Sequence, residues 1–426
     1  MGENPANSSQ SSRSGRWFHL LAPGILIAAT GVGAGDLITA SLAGSAVGVA
    51  IVWAAVVGGV FKWVLNEGIA RWQLATGTTL LEGWVARLGR WVQWVFIIYL
   101  IVWTFVTGGA LVSACGVAGA GLCDLGLPLA KAKVVWGVVH SLVGLVLVWF
   151  GGFRLFEKLM SICIGVMFCT VIATALLARP DWNALVGGVF KPSIPSGALP
   201  WVLGLLGGVG GSVTLLSYGY WIREVGRAGH EGVRACRIDL AVGYAMTALF
   251  GVAMVTIGSR LMLAKGDAVA IELARQLELT LGPAGIWGRW VFLVGFWGAV
   301  FSSMLGVWQS IPYLFADFVL IRRGVAASAR AGLDYTRTRP YRVYLLAIAV
   351  IPLLLLGREL KQVQLTYAIM AALFMPFLAL TLLIMNNRTR WVGERFRSRW
   401  PVNFVLLVTM AFFAYVGFRS LVSLLS

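Results

Sequence analysis

Charged residues are scarce in this chain: they make up 12% of its 426 residues, against 59% that are hydrophobic. The mean hydropathy is +0.85. A soluble globule needs more polar side chains than this to cover its surface, so the composition excludes a soluble protein. It predicts an all-α polytopic membrane protein embedded in a lipid bilayer.

Cysteine and histidine are scarce as well. The five cysteines form no CxxC pair, and none of the three histidines shares a predicted helix with an acidic residue at metal-binding spacing. These absences argue against a zinc site and against histidine-based hydrolysis. We therefore expect no enzymatic activity and no bound cofactor.

Acidic residues are half as frequent as basic ones, 17 against 34, which leaves a formal net charge of +17. In a soluble protein that charge would suggest a nucleic-acid partner. Here, however, Lys and Arg concentrate in alternate loops between apolar runs, for example at Arg87, Arg223 and Arg388. Such a bias orients a membrane protein with its basic loops inside. We expect no nucleic-acid partner, and we expect a monomer in a prokaryotic inner membrane with its N-terminus in the cytoplasm.

Apolar runs of about 20 residues, the length that crosses a bilayer, recur along the chain. The predicted spans are 21–47, 49–74, 91–115, 134–151, 157–178, 200–222, 238–263, 287–320, 341–357, 364–386 and 401–425. Residues 1–16 are polar and rich in serine, which predicts a disordered cytoplasmic tail.

The first span contains the most informative segment, Thr30 to Ser41 (TGVGAGDLITAS). Gly33 and Gly35 weaken the helix there, and Asp36 adds a carboxylate whose charge costs about 2.5 kcal/mol or more in a bilayer. We therefore expect Asp36 to face a protein cavity and to bind a cation or a substrate ammonium. Alternatively, it caps the outer half of a broken helix. Thr39 is a further hydroxyl candidate.

A second glycine-rich interruption, Gly204 to Ser212, lies in the sixth span and runs into Ser217 and Tyr218. These hydroxyls, with backbone carbonyls freed near Leu215, could supply the oxygen atoms that hard metal ions prefer. Asp36 and Ser217 are therefore candidate metal ligands. For either glycine run alone, close helix packing is the favoured explanation. The matched positions of the two runs, with an acid in one and a Ser-Tyr pair in the other, favour a transport site instead.

The two interruptions occupy the same place in successive blocks of five spans. That arrangement predicts an inverted repeat, residues 17–178 and 200–386, in which the broken first and sixth helices form a central solute site. An eleventh span follows at residues 400–426.

Other polar residues lie within the remaining spans. In the second span, Lys62 is spaced to pair with Asn66, and Glu67 with Arg71, along one helix face. If Lys62 instead reaches the central cavity, it would repel a metal ion and favour an anionic or zwitterionic solute. Three more residues are expected to bond neighbouring helices or to line an aqueous path: Ser302, Ser303 and Tyr367.

Several short segments at and around the two interruptions match the motifs of a known family in order and spacing. They are Pro23-Gly24, Ala70-Arg71 with Thr76-Gly77, Gly152 to Met160 (GFRLFEKLM), Ser302-Ser303 and Met375-Pro376-Phe377. In these segments the chain resembles the Nramp family of divalent-metal transporters. The resemblance implies the LeuT-type fold of the amino-acid, polyamine and organocation superfamily, a 5+5 inverted repeat with broken helices 1 and 6 and about 11 transmembrane helices in all.

The chain also departs from this family at its central motifs. The family's Asp-Pro-Gly-Asn aligns with Gly33 to Asp36, and its Met-Pro-His-Asn aligns with Leu215 to Tyr218, so the soft thioether that favours transition metals is missing. The acidic pair and the histidines of the family's proton path align with Gly108, Leu111, Ser217 and Ile222. The pattern is similar to the Nramp-related branch associated with magnesium, and it implies weak or absent proton coupling.

We therefore predict a secondary transporter or facilitator that moves a divalent cation, magnesium or manganese, by alternating access and with oxygen ligands. Two alternatives stay open. One is a transporter of a small organic solute, such as an amino acid or an amine, on the same fold. The other is a non-transporting membrane sensor or scaffold.

Overall fold

A computed structural model describes residues 23–208, 210–260, 269–280, 282, 285–326, 329–330 and 333–425, and the predicted tail at residues 1–16 lies outside them. Regular structure in the described residues is helical. The helices are α1 (residues 23–31), α2 (Ala34–Val47), α3 (Val52–Thr76), α4 (Leu80–Arg87), α5 (Arg90–Leu122), α6 (Leu129–Gly152), α7 (Arg154–Leu177), α8 (Trp182–Phe190), α9 (Leu199–Gly208), α10 (Ser217–Glu224), α11 (Gly229–Arg260), α12 (Val269–Thr280), α13 (Gly285–Arg322), α14 (Arg339–Val350), α15 (Leu360–Asn386), α16 (Thr389–Val392) and α17 (Trp400–Leu425).

Seven helical stretches of the described chain are long and apolar enough to cross a membrane. One of them, Asp36–Thr76, joins α2 to α3 through a short 3₁₀ turn, and the others are α5, α6, α7, α11, α13 and α15. The remaining predicted spans correspond to shorter or broken elements: α1 with α2, α9 with α10, α14 with the 3₁₀ turn that follows it, and α17. Each predicted span therefore has a helical counterpart.

The first span breaks between α1 and α2, at Val32 and Gly33. In a continuous helix the Gly33 N–H would pair with the Ala29 carbonyl, but here it donates to the Asp36 carboxylate at 3.1 Å. The carbonyls of Ala29 and Thr30 accept hydrogen bonds from two serines of α13 instead, Ser302 at 3.1 Å and Ser303 at 2.8 Å. These serines satisfy backbone groups that the break would otherwise leave buried and unpaired.

The sixth span breaks between α9 and α10. Gly210 and Gly211 have φ angles of 83° and 78°, in the left-handed region that favours glycine. A 3₁₀ turn at Val213–Leu216 then leads into α10. The two breaks touch, because a Cβ atom added to Gly31 would lie 2.8 Å from the carbonyl carbon of Gly210.

Helices α2 and α11 approach each other closely through glycines. A Cβ atom on Gly258 would overlap the Ser41 carbonyl, and one on Gly44 would overlap the Val255 carbonyl. Small residues allow such backbone contact between membrane helices. Gly44 and Gly258 therefore serve close packing of α2 against α11.

We expect Gly258→Ala to destabilise the protein by about 1–3 kcal/mol, because the added methyl group must separate two packed backbones. Thermal unfolding in detergent measures the loss. The matched control is Gly165→Ala in α7, where nothing lies within 4 Å of the added carbon. Alanine there should stabilise the helix by about 0.5–1 kcal/mol. Equal effects of the two substitutions would contradict the close contact.

A buried ionic cluster joins α10 to α13 at the end of the bundle that carries the basic loops. Asp317 is fully buried and accepts hydrogen bonds from Tyr220 of α10 at 2.8 Å, Arg330 at 3.0 Å and Tyr335 at 2.9 Å. Arg330 also pairs with Glu82 of α4 at 2.7 Å. Burial and the neighbouring charge of Asp317 raise the pKa of Glu82, and Arg330 opposes them. We call these five residues the Asp317 cluster.

Candidate solute-binding site

A buried cavity lies where the two helix breaks meet. Its volume is about 10 Å³, room for about one water molecule. Helices α1, α2, α5, α13 and α15 contribute to its wall together with the second break. The polar residues that line it are Thr30, Asp36, Trp103, Thr107, Thr214, Ser303, Gln364 and Tyr367.

Asp36 combines the two roles that the sequence left as alternatives. Its side chain is in the first turn of α2 and 4% exposed. One carboxylate oxygen, Oδ2, accepts the Gly33 N–H and so caps the half-helix. The other, Oδ1, has no hydrogen-bond partner within the protein, and the residue lines the cavity. Capping therefore leaves one oxygen available to a solute.

Three further oxygen atoms of cavity-lining residues are buried without a partner in the protein: Thr30 Oγ1, Thr107 Oγ1 and Gln364 Oε1. Buried polar groups are normally hydrogen-bonded, and each unsatisfied one costs about 1–3 kcal/mol. With Asp36 Oδ1 they make four unpaired oxygens around one space. Such a set suits a solute that accepts oxygen ligands, directly or through water.

Two of the predicted pathway residues also reach the cavity wall. Ser303 and Tyr367 line it, while Ser302 holds the Ala29 carbonyl just outside it. Gly33 belongs to the wall as well, and a Cβ atom there would meet the Ser303 hydroxyl. Gly35 lies in the first turn of α2.

The other predicted site residues lie away from this cavity. Ser217 lines a second cavity with Tyr220 and Gln309, and Leu215 is buried in the 3₁₀ turn before α10. The Tyr218 hydroxyl donates to the Asp239 carboxylate at 2.6 Å. Thr39 is half-buried and its methyl group lies against Gly204 of α9. These four remain predictions without a place in the central cavity.

The polar residues of α3 divide into two groups. The predicted ion pair of Glu67 with Arg71 is present, and Arg237 of α11 joins it at 2.9 Å. Lys62 and Asn66, however, have different partners. Asn66 donates to the Tyr244 hydroxyl at 2.8 Å, and Lys62 donates to the carbonyls of Gly207, at 3.2 Å, and Gly211. Lys62 therefore reaches the break of the sixth span.

Sequence reasoning missed four polar cavity residues: Trp103, Thr107, Thr214 and Gln364. Gln364 lies in the polar first turns of α15, and Thr107 is one of two threonines in an apolar part of α5, so neither residue stands out in the sequence. Among the residues that the structure describes, no group of three or more His, Cys, Asp or Glu side chains could hold a metal ion. The cavity therefore offers one carboxylate and several neutral oxygens.

Comparison with known proteins identifies the family of the chain. The model of the natural resistance-associated macrophage protein-like (Nramp) family matches residues 24–423. An uncharacterized protein of Pasteurella multocida is 22% identical over 288 residues, 64% of this chain and 64% of its own length. The divalent metal cation transporter MntH of Chromohalobacter salexigens is 24% identical over 307 residues, 68% of this chain and 69% of its own.

Solved structures with the same fold include a mutant of the Eremococcus coleocola manganese transporter. It is 18% identical and superimposes with a TM-score of 0.74 over 95% of this chain and 87% of that one. Mhp1, a nucleobase-cation-symport-1 family transporter, superimposes with a TM-score of 0.53 at 13% identity, over 90% of this chain and 82% of that one. The predicted fold class, an integral membrane protein of LeuT type with broken first and sixth helices, is confirmed. Because the family model covers nearly the whole length, the chain belongs to the Nramp family.

Proposed function

We propose that the protein is a secondary transporter or facilitator, not an enzyme, that moves a divalent metal cation across the membrane. The observation that carries this proposal is the set of four unpaired oxygens, one of them from a carboxylate, around the cavity at the two helix breaks. The names of two relatives, a divalent metal cation transporter and a manganese transporter, support it. The protein acts as a monomer with its N-terminus in the cytoplasm of a prokaryotic cell.

The oxygen chemistry of the cavity favours a hard ion, magnesium or manganese. Thioether and imidazole ligands, which favour softer transition metals, are missing from the described cavity wall. A single carboxylate beside neutral oxygens suits an ion that keeps part of its hydration shell, as magnesium does. The ion would bind through Asp36 Oδ1, and Thr30, Thr107 and Gln364 would bond it directly or through water once the cavity widens.

The broken helices support alternating access around this site. Half-helices can tilt separately from the rest of the bundle, so that the cavity opens first to one side and then to the other. The positions that carry the family's proton path are apolar or neutral here, at Gly108, Leu111, Ser217 and Ile222. We therefore propose weak or absent proton coupling.

Calorimetric titration with magnesium, manganese and calcium tests the proposal. The purified native protein and the Thr107→Val variant are titrated side by side. Valine has the shape of threonine without its hydroxyl, so it removes one oxygen from the cavity. We expect about tenfold weaker ion binding. We also expect a more stable fold, because an unpaired buried hydroxyl that costs about 1–3 kcal/mol is removed.

The matched control is Ser113→Ala, on the same helix. The Ser113 hydroxyl is also buried and unpaired, but the residue is not part of the cavity wall. This variant should gain stability and keep its affinity. No heat from any of the three ions with folded protein would overturn the metal proposal in favour of an organic solute. Binding without flux in proteoliposomes would indicate a sensor.

A further inference from the structure

Lys62 is a buried cation in a membrane span, where an unpaired charge is costly. Its side chain is fully buried in α3. The ammonium group donates to the carbonyl oxygens of Gly207 and Gly211, which come from the end of α9 and the start of the break. A continuous helix would pair the first of these carbonyls with the backbone N–H of Gly211. The break thus leaves carbonyl oxygens that suit a cation, and the lysine supplies it.

The aliphatic part of the Lys62 side chain is packed as well. The Cγ atom of Lys62 lies 3.5 Å from the position of a Cβ atom on Gly210, so the aliphatic part of the side chain packs against the break. Gly211 also belongs to the wall of the central cavity, which places the ammonium beside the candidate solute site and not in it.

We propose that the Lys62 ammonium is a tethered cation that permanently fills a cation-binding position made by the Gly207 and Gly211 carbonyl oxygens. A free monovalent cation or a small primary ammonium ion occupies this position if the side chain is shortened. The native protein therefore needs no dissolved inorganic cation at the sixth-span break.

Chemical rescue of Lys62→Ala tests the proposal. The purified full-length variant is unfolded thermally in detergent, without divalent ions, while methylammonium, sodium or potassium is added against N-methylglucamine chloride at equal ionic strength. We expect the variant to have a lower midpoint than the native protein. At saturating methylammonium or sodium its midpoint should rise by a few degrees, as a ligand that binds the folded state alone requires.

Two variants serve as controls. Lys62→Met fills the space of the lysine without its charge, so it should be destabilised and should not respond to cations. Asn66→Ala shortens a buried polar residue one turn further along α3, whose partner is the Tyr244 hydroxyl. It should lose stability without any cation response, because the observed partner of Asn66 is a hydroxyl and not a pair of carbonyl oxygens.

Two outcomes overturn the proposal. In one, the Lys62→Ala protein is as stable as the native one. In the other, it is destabilised and no added cation raises its midpoint. If the variant cannot be isolated in N-methylglucamine, membranes are solubilised with methylammonium instead. Recovery of monodisperse protein only with methylammonium supports the proposal, and recovery with neither contradicts it. Because no divalent ion is present, failure of the metal-transport proposal leaves this result intact.

Discussion

Asp36→Asn should weaken divalent-cation binding by about 100-fold or more, which corresponds to about 2.7 kcal/mol, and should reduce metal uptake into proteoliposomes in parallel. The amide keeps an oxygen that can accept the Gly33 N–H, so the first turn of α2 stays capped while the negative charge disappears. The variant should therefore fold normally. Calorimetry and thermal unfolding on the same sample measure the two effects.

Two companion variants separate the ligand role from the capping role. Asp36→Ala removes both and should lose ion binding together with about 1 kcal/mol of stability. Asp181 caps α8 by accepting the N–H groups of Asn183 and Ala184, and it is exposed, so Asp181→Asn should leave ion binding unchanged. Native affinity in the Asp36→Asn protein would show that this carboxylate is only a cap.

Loss of Arg330 should be the most damaging change to stability. Arg330→Met removes the cation that pairs with both Glu82 and Asp317. It leaves two buried carboxylates close together, and among the described residues only Arg223, 3.9 Å from Glu82, remains to compensate them. Breaking one partner of a buried ion pair costs about 3–5 kcal/mol. The Tyr220 hydroxyl of α10 donates to Asp317, and the Asp317 carboxylate loses its Arg330 partner in the variant, so we expect it to hold α10 less firmly. Thermal unfolding and hydrogen exchange of α10 measure both consequences.

The stability that Arg330→Met loses should depend on pH. The pKa of Glu82 is already raised by burial and by Asp317, and it rises further without Arg330. An acid whose pKa is higher in the folded state favours folding at low pH, and this contribution is lost as the pH rises through the folded-state pKa. The variant should therefore be weakest in alkaline solution and recover partly on acidification.

Arg337→Met is the matched control for this cluster. Arg337 pairs with Asp334 at 3.0 Å, but the two side chains are 82% and 52% exposed. Exposed pairs contribute about 0–1 kcal/mol, so the midpoint should hardly move. Equal losses in the two variants would show that the Asp317 cluster does not hold α10 and α13 together.

The sequence was enough to predict the fold because its strongest signals are local. Apolar runs determine which segments can cross a bilayer, and glycines mark where two of them break. Asp36 could be predicted on the same basis, since a carboxylate in an apolar run requires a protein environment.

The rest of the cavity depends on contacts between distant segments. Thr107 and Gln364 come from α5 and α15, and their convergence on Asp36 cannot be read from spacing along either helix. Lys62 was expected to pair with Asn66 one turn away. The carbonyls freed by the sixth-span break are stronger partners for an ammonium, but only the packing of α3 against α9 shows that they are within reach.

For Ser217 and Tyr218, the sequence predicted a place at the central site that the structure does not give them. Their position in the second repeat matches that of Asp36 in the first, which made them site candidates. The 3₁₀ turn at Val213–Leu216 places them beyond the break, and Tyr218 points to Asp239 of α11. Correspondence between repeats therefore predicted the break itself more reliably than the direction of the side chains after it.

The four unpaired oxygens of the central cavity carry a kinetic consequence. Each costs about 1–3 kcal/mol when neither an ion nor water bonds it, so a cavity that closes without either is unfavourable. Under the proposed alternating access, a bound ion removes that penalty, and we expect the loaded carrier to close more easily than the empty one. The return of the empty carrier should then limit net uptake. Exchange of one ion for another across the membrane, which never requires the empty closed form, should run faster than one-way transport.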